Sequence, residues 1–383
     1  MPREAPRVVL TGGGTGGHVY PALAVAEALR RLCPGAELLY VGGDRLEAGV
    51  VPAAGLPFRA ISVHGLAGEI PLAKRLRAAL ELAAWVPLFQ SLGLLLSFRP
   101  EVVIGTGGYV SGPVLLAAKL LRIPRLALDG NRAPGWTSRA VARFVDVMAV
   151  AHPEMAEFFA ARVGKGARVE VTGLPFRADV LAAGREEGRA ALELDACRKT
   201  VLVLGGSLGS RRVNSAVRGA LRKLGGSEAL ARSLQVVHVV GRRYSTESDG
   251  EPPEGVRYHQ LPYLEDQYAN ALAAADLVIA RSGASTLAEL TARGLPAILI
   301  PWSLASTGEQ ALNAEPLGRA GAAVVIPDQE LDADRLAGVL TELLGDPARL
   351  ARMAEASRKL GRPDAAEAVA RLALELAGRD GCR

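Results

Sequence analysis

The sequence predicts an α/β protein of two domains, each built on a doubly wound parallel sheet. Its length of 383 residues exceeds what one hydrophobic core usually supports. Short β-branched runs alternate with helical patterns, as in parallel sheets flanked by helices. This series occurs twice, with the runs RVVLT, ELLYV, EVVIG, RLALD and VDVMAV in the first half and TVLVLGG, QVVHVV, DLVIA, PAILIP and AAVVIP in the second.

Glycine and proline mark the join between the two series, at Gly173 and Pro175 in VTGLPFRADV. We therefore expect a first domain over residues 1–174 and a second over 175–362. The Ala-rich pattern near the end predicts a helix over about 363–383. The sequence does not decide which domain this helix packs on, and a return to the first domain is one possibility.

The composition is that of a globular protein with a basic balance. Hydrophobic residues make up 49% of the chain and charged residues 22%, and the net charge is +5. A positive balance favours anionic partners such as phosphates, nucleotides or an acidic lipid surface. We expect no nucleic acid partner, because no dense Lys/Arg run with interleaved aromatic residues occurs.

Cysteine usage and hydropathy argue against further classes of protein. Cys33, Cys197 and Cys382 lack the spacing of a zinc site or a disulfide framework, which favours a reducing compartment. The opening MPREAP is charged, and the short apolar run after it is unlike a signal peptide. The longest uncharged stretch, 82–98, is shorter than the ~20 residues of a membrane span. Because it also contains Pro87, we expect a packed or surface-lying helix there.

Three glycine-rich segments each follow a predicted strand and precede a predicted helix: GGGTGGH (12–18), GTGGYVSGP (105–113) and GGSLGS (205–210). Small residues let backbone N–H groups and a helix N-terminus approach an anion, so such loops are typical of phosphate sites. The alternative for each is a tight strand-to-helix turn. All three lie at strand carboxyl ends, the edge where open α/β sheets bind ligands.

The first segment also contains G-x-G-x-x-G, the dinucleotide-binding pattern, at Gly12, Gly14 and Gly17. A nicotinamide-dependent oxidoreductase would need an acidic residue at the end of the second strand, ~20 residues on. Asp44 is a poor match, because two glycines separate it from that strand. The pattern alone therefore does not establish an oxidoreductase.

Two side chains that follow predicted strand-to-helix loops are candidates for chemistry. His18 lies in the first turn of a helix, where the helix N-terminus keeps a general base neutral; the alternative is a helix-start residue with local hydrogen bonds. Glu289 follows RSGAST, and a carboxylate can bind both hydroxyls of a ribose. The alternative there is a capping box with Thr286. The Asp-x-Asp of LDADRL lies at a helix start, where capping explains it, so we predict no metal site.

Five motifs occur in the order found in the MurG family and resemble it: GGTGGHVYPALAVA, GTGGYVSGPVLLAA, GGSLGSRRVN, SGASTLAELTARGLPAILIPW and EQALNAEPLGRAGAAVVIP. That family transfers N-acetylglucosamine from UDP-GlcNAc to the lipid-linked muramyl-pentapeptide precursor of peptidoglycan. The resemblance implies the GT-B fold, in which two Rossmann-like domains face a deep cleft. It also implies an inverting reaction that needs no cofactor and no metal.

The resemblance assigns roles to individual residues. His18 matches the histidine of the family's first glycine loop, and we assign it as catalytic. The acceptor diphosphate is expected at Gly14, Gly107, Gly108 and Tyr109. The residues expected to bind the donor are Thr15, Gly16, Gly17, Asn131, Arg177, Ser207, Leu264, Ala284, Ser285, Thr286, Leu287, Ala288, Glu289 and Gln310. Among them, Leu264 is expected at uracil, Glu289 at ribose and Gln310 at the sugar hydroxyls.

The chain departs from the family pattern in two of these loops. Where the family commonly has His-Glu-Gln-Asn, residues 128–131 read LDGN. An imidazole is absent and Glu is replaced by Asp129, which gives His18 more weight as the base and leaves Asp129 next in line. Leu208 stands where the family commonly has Gln. The donor pattern is otherwise mostly intact.

The implied partners are UDP-GlcNAc and undecaprenyl-pyrophosphoryl-MurNAc-pentapeptide. Because that acceptor carries a polyprenyl chain, we expect a peripheral enzyme on the cytoplasmic side of the cell membrane, at the anionic inner-membrane surface. Lys74, Arg75 and Arg77 beside leucines suit such a surface, although an ordinary amphipathic helix packed on the domain has the same pattern. Other functions left open are a diacylglycerol glycosyltransferase, a UDP-GlcNAc 2-epimerase, an NAD-dependent oxidoreductase and a non-catalytic nucleotide-sugar binding module.

Overall fold

The computed structural model describes residues 5–63, 85–206, 209–226, 228–246, 255–264, 267–303 and 308–379. The chain divides into two units. The first consists of Met1–Arg177 with Asp364–Arg383, and the second of Ala178–Pro363.

A parallel sheet of seven strands forms the centre of the first unit, in the order β3-β2-β1-β4-β5-β6-β7. The strands are β1 Arg7–Thr11, β2 Glu37–Gly42, β3 Phe58–Ala60, β4 Val102–Gly105, β5 Arg125–Asp129, β6 Val147–Val150 and β7 Arg168–Val171. The chain adds β2 and β3 on one side of β1, and β4 to β7 on the other. This change of direction makes the carboxyl ends of β1 and β4 a topological switch point, where open α/β sheets bind ligands.

Helices pack on both faces of this sheet because their apolar stripes cover its continuous apolar strands. They are α1 Gly16–Leu32, α2 Leu46–Ala53, α3 Val86–Phe98, α4 Ser111–Leu120, α5 Trp136–Val141 and α6 Pro153–Ala160, with the last helix of the chain, Ala365–Leu376. That last helix packs against α1 and β4. Two ion pairs also fix its end, from Arg168 to Glu375 at 2.5 Å and from Arg379 to Glu101 at 3.0 Å.

The second unit repeats the plan with six parallel strands in the order β10-β9-β8-β11-β12-β13. The strands are β8 Lys199–Leu204, β9 Leu234–Val239, β10 Arg257–Leu261, β11 Leu277–Ala280, β12 Ala297–Leu299 and β13 Ala323–Val325. Its helices are α7 Asp179–Ala182, α8 Arg185–Ala191, α9 Arg211–Leu224, α10 Glu228–Ser233, α11 Tyr268–Ala274, α12 Ala284–Arg293, α13 Glu309–Arg319, α14 Ala333–Gly345 and α15 Pro347–Leu360; Ala365–Leu376 is then α16. Two parallel doubly wound sheets confirm the predicted fold class.

The uncharged stretch 82–98 lies partly outside the described residues, and its remainder contains α3. Pro87 occupies the first turn of α3, where a proline needs no hydrogen-bond partner for its nitrogen. Leu88, Ser91 and Leu95 are buried, so one side of α3 packs on the unit. Within the described ranges, no helix combines the length and apolar character that crossing a membrane requires.

Candidate functional site

His18 lies at the switch point of the first sheet, in the first turn of α1. Its Nδ1 is 3.1 Å from the carbonyl oxygen of Thr106, the residue after β4. Since a carbonyl can only accept, Nδ1 carries the proton and Nε2 has the free lone pair. The Thr106 hydroxyl in turn donates to the His18 carbonyl at 2.7 Å. These two bonds fix both the tautomer and the position of the imidazole.

Burial lowers the pKa of His18, while the hydrogen bond to Thr106 and the negative charge of Glu47 act in the opposite direction. The net effect favours the neutral ring at pH 7, the form that a general base requires. Among the described residues, none forms a hydrogen bond with Nε2. His18 therefore has the protonation state and the unshared nitrogen of a base.

The loop after β4 approaches His18 closely because it contains glycines. A Cβ on Gly107 would lie 2.7 Å from Nδ1 of His18, and one on Gly108 would lie 2.3 Å from the carbonyl oxygen of Gly13. Both residues also have positive φ, at +103° and +77°. The predicted acceptor residues thus come together: Tyr109 packs against Gly14, where a Cβ would lie 2.9 Å from its ring.

Glu47 is a functional candidate that our sequence reasoning missed. It lies in the first turn of α2 and is fully buried. Its Oε1 accepts a hydrogen bond from Gly43 N–H at 2.9 Å, and its Oε2 accepts one from Gly14 N–H at 3.1 Å. The sequence signal is weak, because a glutamate in a first helical turn is also a common helix-stabilising residue.

The loop after β5 contains the LDGN departure. Leu128 is buried within the strand. Burial raises the pKa of Asp129 to about 6, against hydrogen bonds from Ser138 and from the backbone of Asn131 and Gly135. The Asn131 N–H lies 3.0 Å from Oδ1 of Asp129. The carboxylate oxygens of Asp129 thus accept hydrogen bonds from this loop. Asp129 therefore holds in place the segment that contains Asn131.

The other predicted donor residues of the first unit lie around the start of α1. Thr15 is the N-cap residue of α1, and Thr15 and Gly17 are both exposed. Gly16 lies against the ring of Tyr20, which a Cβ on Gly16 would approach to 3.2 Å. The guanidinium of Arg177 lies 5.5 Å from the centroid of the same ring. Tyr20 therefore connects Gly16 with Arg177.

In the second unit, α12 begins at Ala284 with Gly283 as its N-cap. Thr286 is already the third residue of the helix, so the capping-box alternative for Thr286 and Glu289 is wrong. Instead the buried Glu289 accepts a hydrogen bond from the hydroxyl of Tyr268 at 2.5 Å. Tyr268 was not predicted, since it lies 21 residues away on α11.

The first turn of α12 has the properties of an anion site. It contains no acidic residue, and its N–H groups point out of the helix end. The hydroxyl of Ser285 is buried and lacks a hydrogen-bond partner among the described residues. Leu287 is buried, and its N–H donates to the Gly283 carbonyl within the helix. Its side chain and its N–H are therefore both engaged by the protein, and its role is to shape the backbone of the helix start.

Arg281 links the loops at the carboxyl end of this sheet and was also missed. One of its amino groups, Nη1, donates to Asp328 at 2.6 Å and to the Ile300 carbonyl at 3.1 Å. The other, Nη2, donates to the Ser210 hydroxyl at 2.9 Å. These partners follow β13, β12 and β8, while Arg281 itself follows β11. The arginine immediately after a strand in RSGAST was the available signal.

The remaining predicted donor residues are placed as follows. Gln310 is the second residue of α13, and its side-chain oxygen accepts a hydrogen bond from Trp302 N–H at 3.0 Å. Leu264 is buried after β10, and Ala288 is half-buried on α12. Ser207 and Leu208 lie outside the described residues. In the described ranges, no cluster of three His, Cys, Asp or Glu side chains could hold a metal ion.

Both halves of the chain match domains of one enzyme family. Residues 8–150 match the glycosyltransferase family 28 N-terminal domain, and residues 200–369 match its C-terminal domain. A relative from Desulforudis audaxviator, named UDP-N-acetylglucosamine--N-acetylmuramyl-(pentapeptide) pyrophosphoryl-undecaprenol N-acetylglucosamine transferase, is 43% identical over 389 residues. The match covers 97% of this chain and 99% of the relative. The chain belongs to the MurG family.

Solved structures agree with this assignment. The crystal structure of MurG from Acinetobacter baumannii has a TM-score of 0.72 at 27% identity, covering 97% of this chain and 99% of that one. A putative UDP-N-acetylglucosamine 2-epimerase from Listeria monocytogenes has a TM-score of 0.67 at 16% identity, covering 97% and 96%. The second likeness shows the shared GT-B fold alone. This member of the MurG family is therefore a glycosyltransferase with a two-domain GT-B fold.

Proposed function

We propose that the protein transfers N-acetylglucosamine from UDP-GlcNAc to the 4-hydroxyl of undecaprenyl-pyrophosphoryl-MurNAc-pentapeptide, the lipid-linked precursor of peptidoglycan. The observation that carries this proposal is the 43% identity, over nearly the whole of both chains, to a relative named for that reaction. The fixed tautomer of His18 supports it, because the transfer requires a base for the acceptor hydroxyl.

The reaction is a single displacement with inversion. The acceptor oxygen forms a bond to the anomeric carbon as the bond from that carbon to the UDP oxygen breaks, through an oxocarbenium-like transition state. Nε2 of His18 takes the hydroxyl proton, and the electron pair of the breaking bond leaves with UDP. A base of this kind contributes roughly 10²–10⁴-fold to the rate.

We assign the predicted donor residues to different parts of the nucleotide sugar. Glu289, oriented by Tyr268, binds the ribose hydroxyls, and backbone at Leu264 binds uracil. The first turn of α12 with the Ser285 hydroxyl holds the diphosphate, whose leaving charge Arg177 and Ser207 also stabilise. Gln310 binds the sugar hydroxyls, and the family resemblance assigns Thr15, Gly16, Gly17 and Asn131 to donor binding as well.

The acceptor diphosphate binds at the glycine loops around His18. The N–H groups near Gly14, Gly107 and Gly108 are the donors that an anion needs. The hydroxyl of Tyr109 is buried without a hydrogen-bond partner among the described residues. The guanidinium of Arg45 lies 5.5 Å from the Tyr109 ring centroid and adds positive charge beside it.

The protein works peripherally at the cytoplasmic face of the membrane. On α3 and just before it, Trp85, Phe89 and Leu96 are 60%, 66% and 59% exposed and recur at helical spacing on one stripe. Such a stripe suits insertion at a lipid surface. The basic residues Lys74, Arg75 and Arg77 lie outside the described residues. Phe89→Ser should reduce co-sedimentation with anionic vesicles but leave donor affinity unchanged.

Transfer of radiolabelled N-acetylglucosamine from UDP-GlcNAc to the lipid-linked muramyl acceptor tests the proposal directly. We expect labelled product with UDP-GlcNAc and a much lower kcat/KM with UDP-glucose. Equal kcat/KM for the two donors would contradict the assignment. Protection against thermal unfolding by UDP but not by NAD excludes the oxidoreductase alternative.

A further inference from the structure

The backbone around Glu47 is shaped to enclose its carboxylate. A Cβ on Gly13 would lie 2.3 Å from Oε1, one on Gly43 would lie 2.9 Å from the same atom, and one on Gly42 would lie 2.8 Å from Cγ. Side chains at these three positions would therefore displace Glu47. The two backbone hydrogen bonds then join the loop after β2 to the glycine loop after β1 through this one carboxylate.

Burial of the Glu47 carboxylate is energetically unfavourable. Moving a carboxylate out of water costs several kcal/mol, which a close cation usually offsets. Within the described residues, Glu47 has backbone amides as its hydrogen-bond partners and forms no ion pair with Lys or Arg. A neutral side chain would fill the same space at lower cost. The charge itself therefore needs an explanation.

The charge of Glu47 acts on the side chains around the glycine loops. It raises the pKa of His18 against the larger effect of burial, and it raises the pKa of Tyr40 and Tyr109 along with burial. Of the described charged groups, Glu47 is the one whose charge acts on His18. Arg45 and Asp44 act instead on Tyr109.

We propose that Glu47 is a positioning residue for His18: it holds the glycine loop in place and stabilises the imidazolium that forms when His18 takes the acceptor proton. The inference rests on the proposed function, because it assumes that His18 is the base. The proton goes from the acceptor hydroxyl to Nε2 of His18, and Glu47 takes no part in the transfer. Unlike the aspartate of a catalytic triad, Glu47 has the amides of Gly14 and Gly43, and not the imidazole, as its hydrogen-bond partners, so it acts through the glycine loop and through its charge.

Glu47→Gln tests the charge with little change in shape. We expect kcat to fall roughly 10- to 100-fold, by analogy with the loss of carboxylates that hold metal-binding histidines in place. Loss of the negative charge destabilises the imidazolium, so the acidic limb of the pH profile of kcat should move to lower pH. Glu47→Asp keeps the charge, and its acidic limb should stay near that of the wild type even where kcat falls.

Glu27→Gln is the matched control. Glu27 is exposed on α1, the helix that carries His18, and this substitution removes one negative charge, as Glu47→Gln does. It should leave kcat and the pH profile unchanged. NMR titration of the His18 ring, without substrate, gives a second reading in wild type and Glu47→Gln. This reading separates the inference from the proposed function, because it needs no transferase activity.

Three results would overturn the role of Glu47. In the first, kcat falls in Glu47→Gln but the acidic limb and the His18 titration stay in place, which makes the carboxylate purely structural. In the second, Glu47→Gln retains wild-type kcat and pH dependence. In the third, neither Glu47→Gln nor Glu47→Asp folds. If the wild type transfers no sugar yet its His18 titration still depends on Glu47, only the proposed function fails.

Discussion

The two sheets form their carboxyl-edge sites in different ways. In the first unit, the loops after β1, β2 and β4 approach each other closely because their glycines have no side chains. The buried Glu47 carboxylate joins the loops after β1 and β2. In the second unit, a charged side chain, Arg281, reaches from the loop after β11 to the loops after β8, β12 and β13. The first site should therefore be sensitive to added atoms, and the second to removal of a charge.

Arg281→Met should have the largest effect on stability. Arg281 and Asp328 are both buried, and removing one partner of such a pair typically costs about 3–5 kcal/mol. We expect the melting temperature of the second unit to fall, measured by calorimetry. Arg319→Met is the control, because its pair with Glu315 is exposed and its loss should leave the melting temperature unchanged. A stable Arg281→Met protein would contradict the view that this side chain holds the loops together.

His18→Ala should have the largest effect on chemistry. Without Nε2, kcat should fall roughly 10²-fold or more, and the pH profile should lose its acidic limb. Affinity for UDP, measured by calorimetry, should change little because we assign the His18 imidazole to the acceptor hydroxyl. Near-normal kcat in His18→Ala would assign the base elsewhere, with Asp129 the next candidate.

Gly108→Ala adds one methyl group to the crowded first site. The new Cβ would lie 2.3 Å from the Gly13 carbonyl oxygen at a positive φ, so we expect the free energy of unfolding to fall by roughly 1–3 kcal/mol. Gly49→Ala provides the comparison. Gly49 lies within α2, and among the described residues no atom beyond the neighbouring residues and backbone of this helix lies within 4 Å of a Cβ placed there. That substitution should be neutral or slightly stabilising in the same denaturant titration, and equal losses for both variants would show that crowding is not the cause.

Tyr268→Phe removes only the hydroxyl that orients Glu289. We expect KM for UDP-GlcNAc to rise about three- to tenfold with kcat nearly unchanged, the equivalent of about 1 kcal/mol of binding. Glu289→Ala should raise the same KM further, because it removes the carboxylate that we propose binds the ribose. If Glu289→Ala leaves KM unchanged, the carboxylate does not bind the donor.

Sequence patterns predicted the central strands well and the outer strands poorly. The runs EVVIG and DLVIA become β4 and β11, whose residues are all buried, and continuous apolar character marks such strands. Three strands went unpredicted: β3, β7 and β10. Each lies at an edge of its sheet and is partly exposed, with charged or polar residues such as Arg59, Glu170 and Gln260. A half-solvated edge needs no continuous apolar run, so it leaves little signal.

The same distinction applies to the sites. The glycine loops that follow strands were predicted, because local sequence determines a strand–loop–helix turn. Glu47, Tyr268 and Arg281 were not, since their partners lie on other elements. Gly14 lies 33 residues from Glu47, and Asp328 lies 47 residues from Arg281. Such pairings depend on which strands become neighbours, and that is known only from the fold.

The helix Ala365–Leu376 has a consequence for how the protein is made. Its buried residues, among them Val369 and Leu374, lie in a helix that covers α1 and belongs to the first unit. A ribosome reaches these codons only after it has translated all of the second unit. The first unit, although it emerges first, therefore completes its core last, and α1 stays partly uncovered during most of synthesis. A nascent chain of this design has a long interval in which a chaperone can bind its opening half.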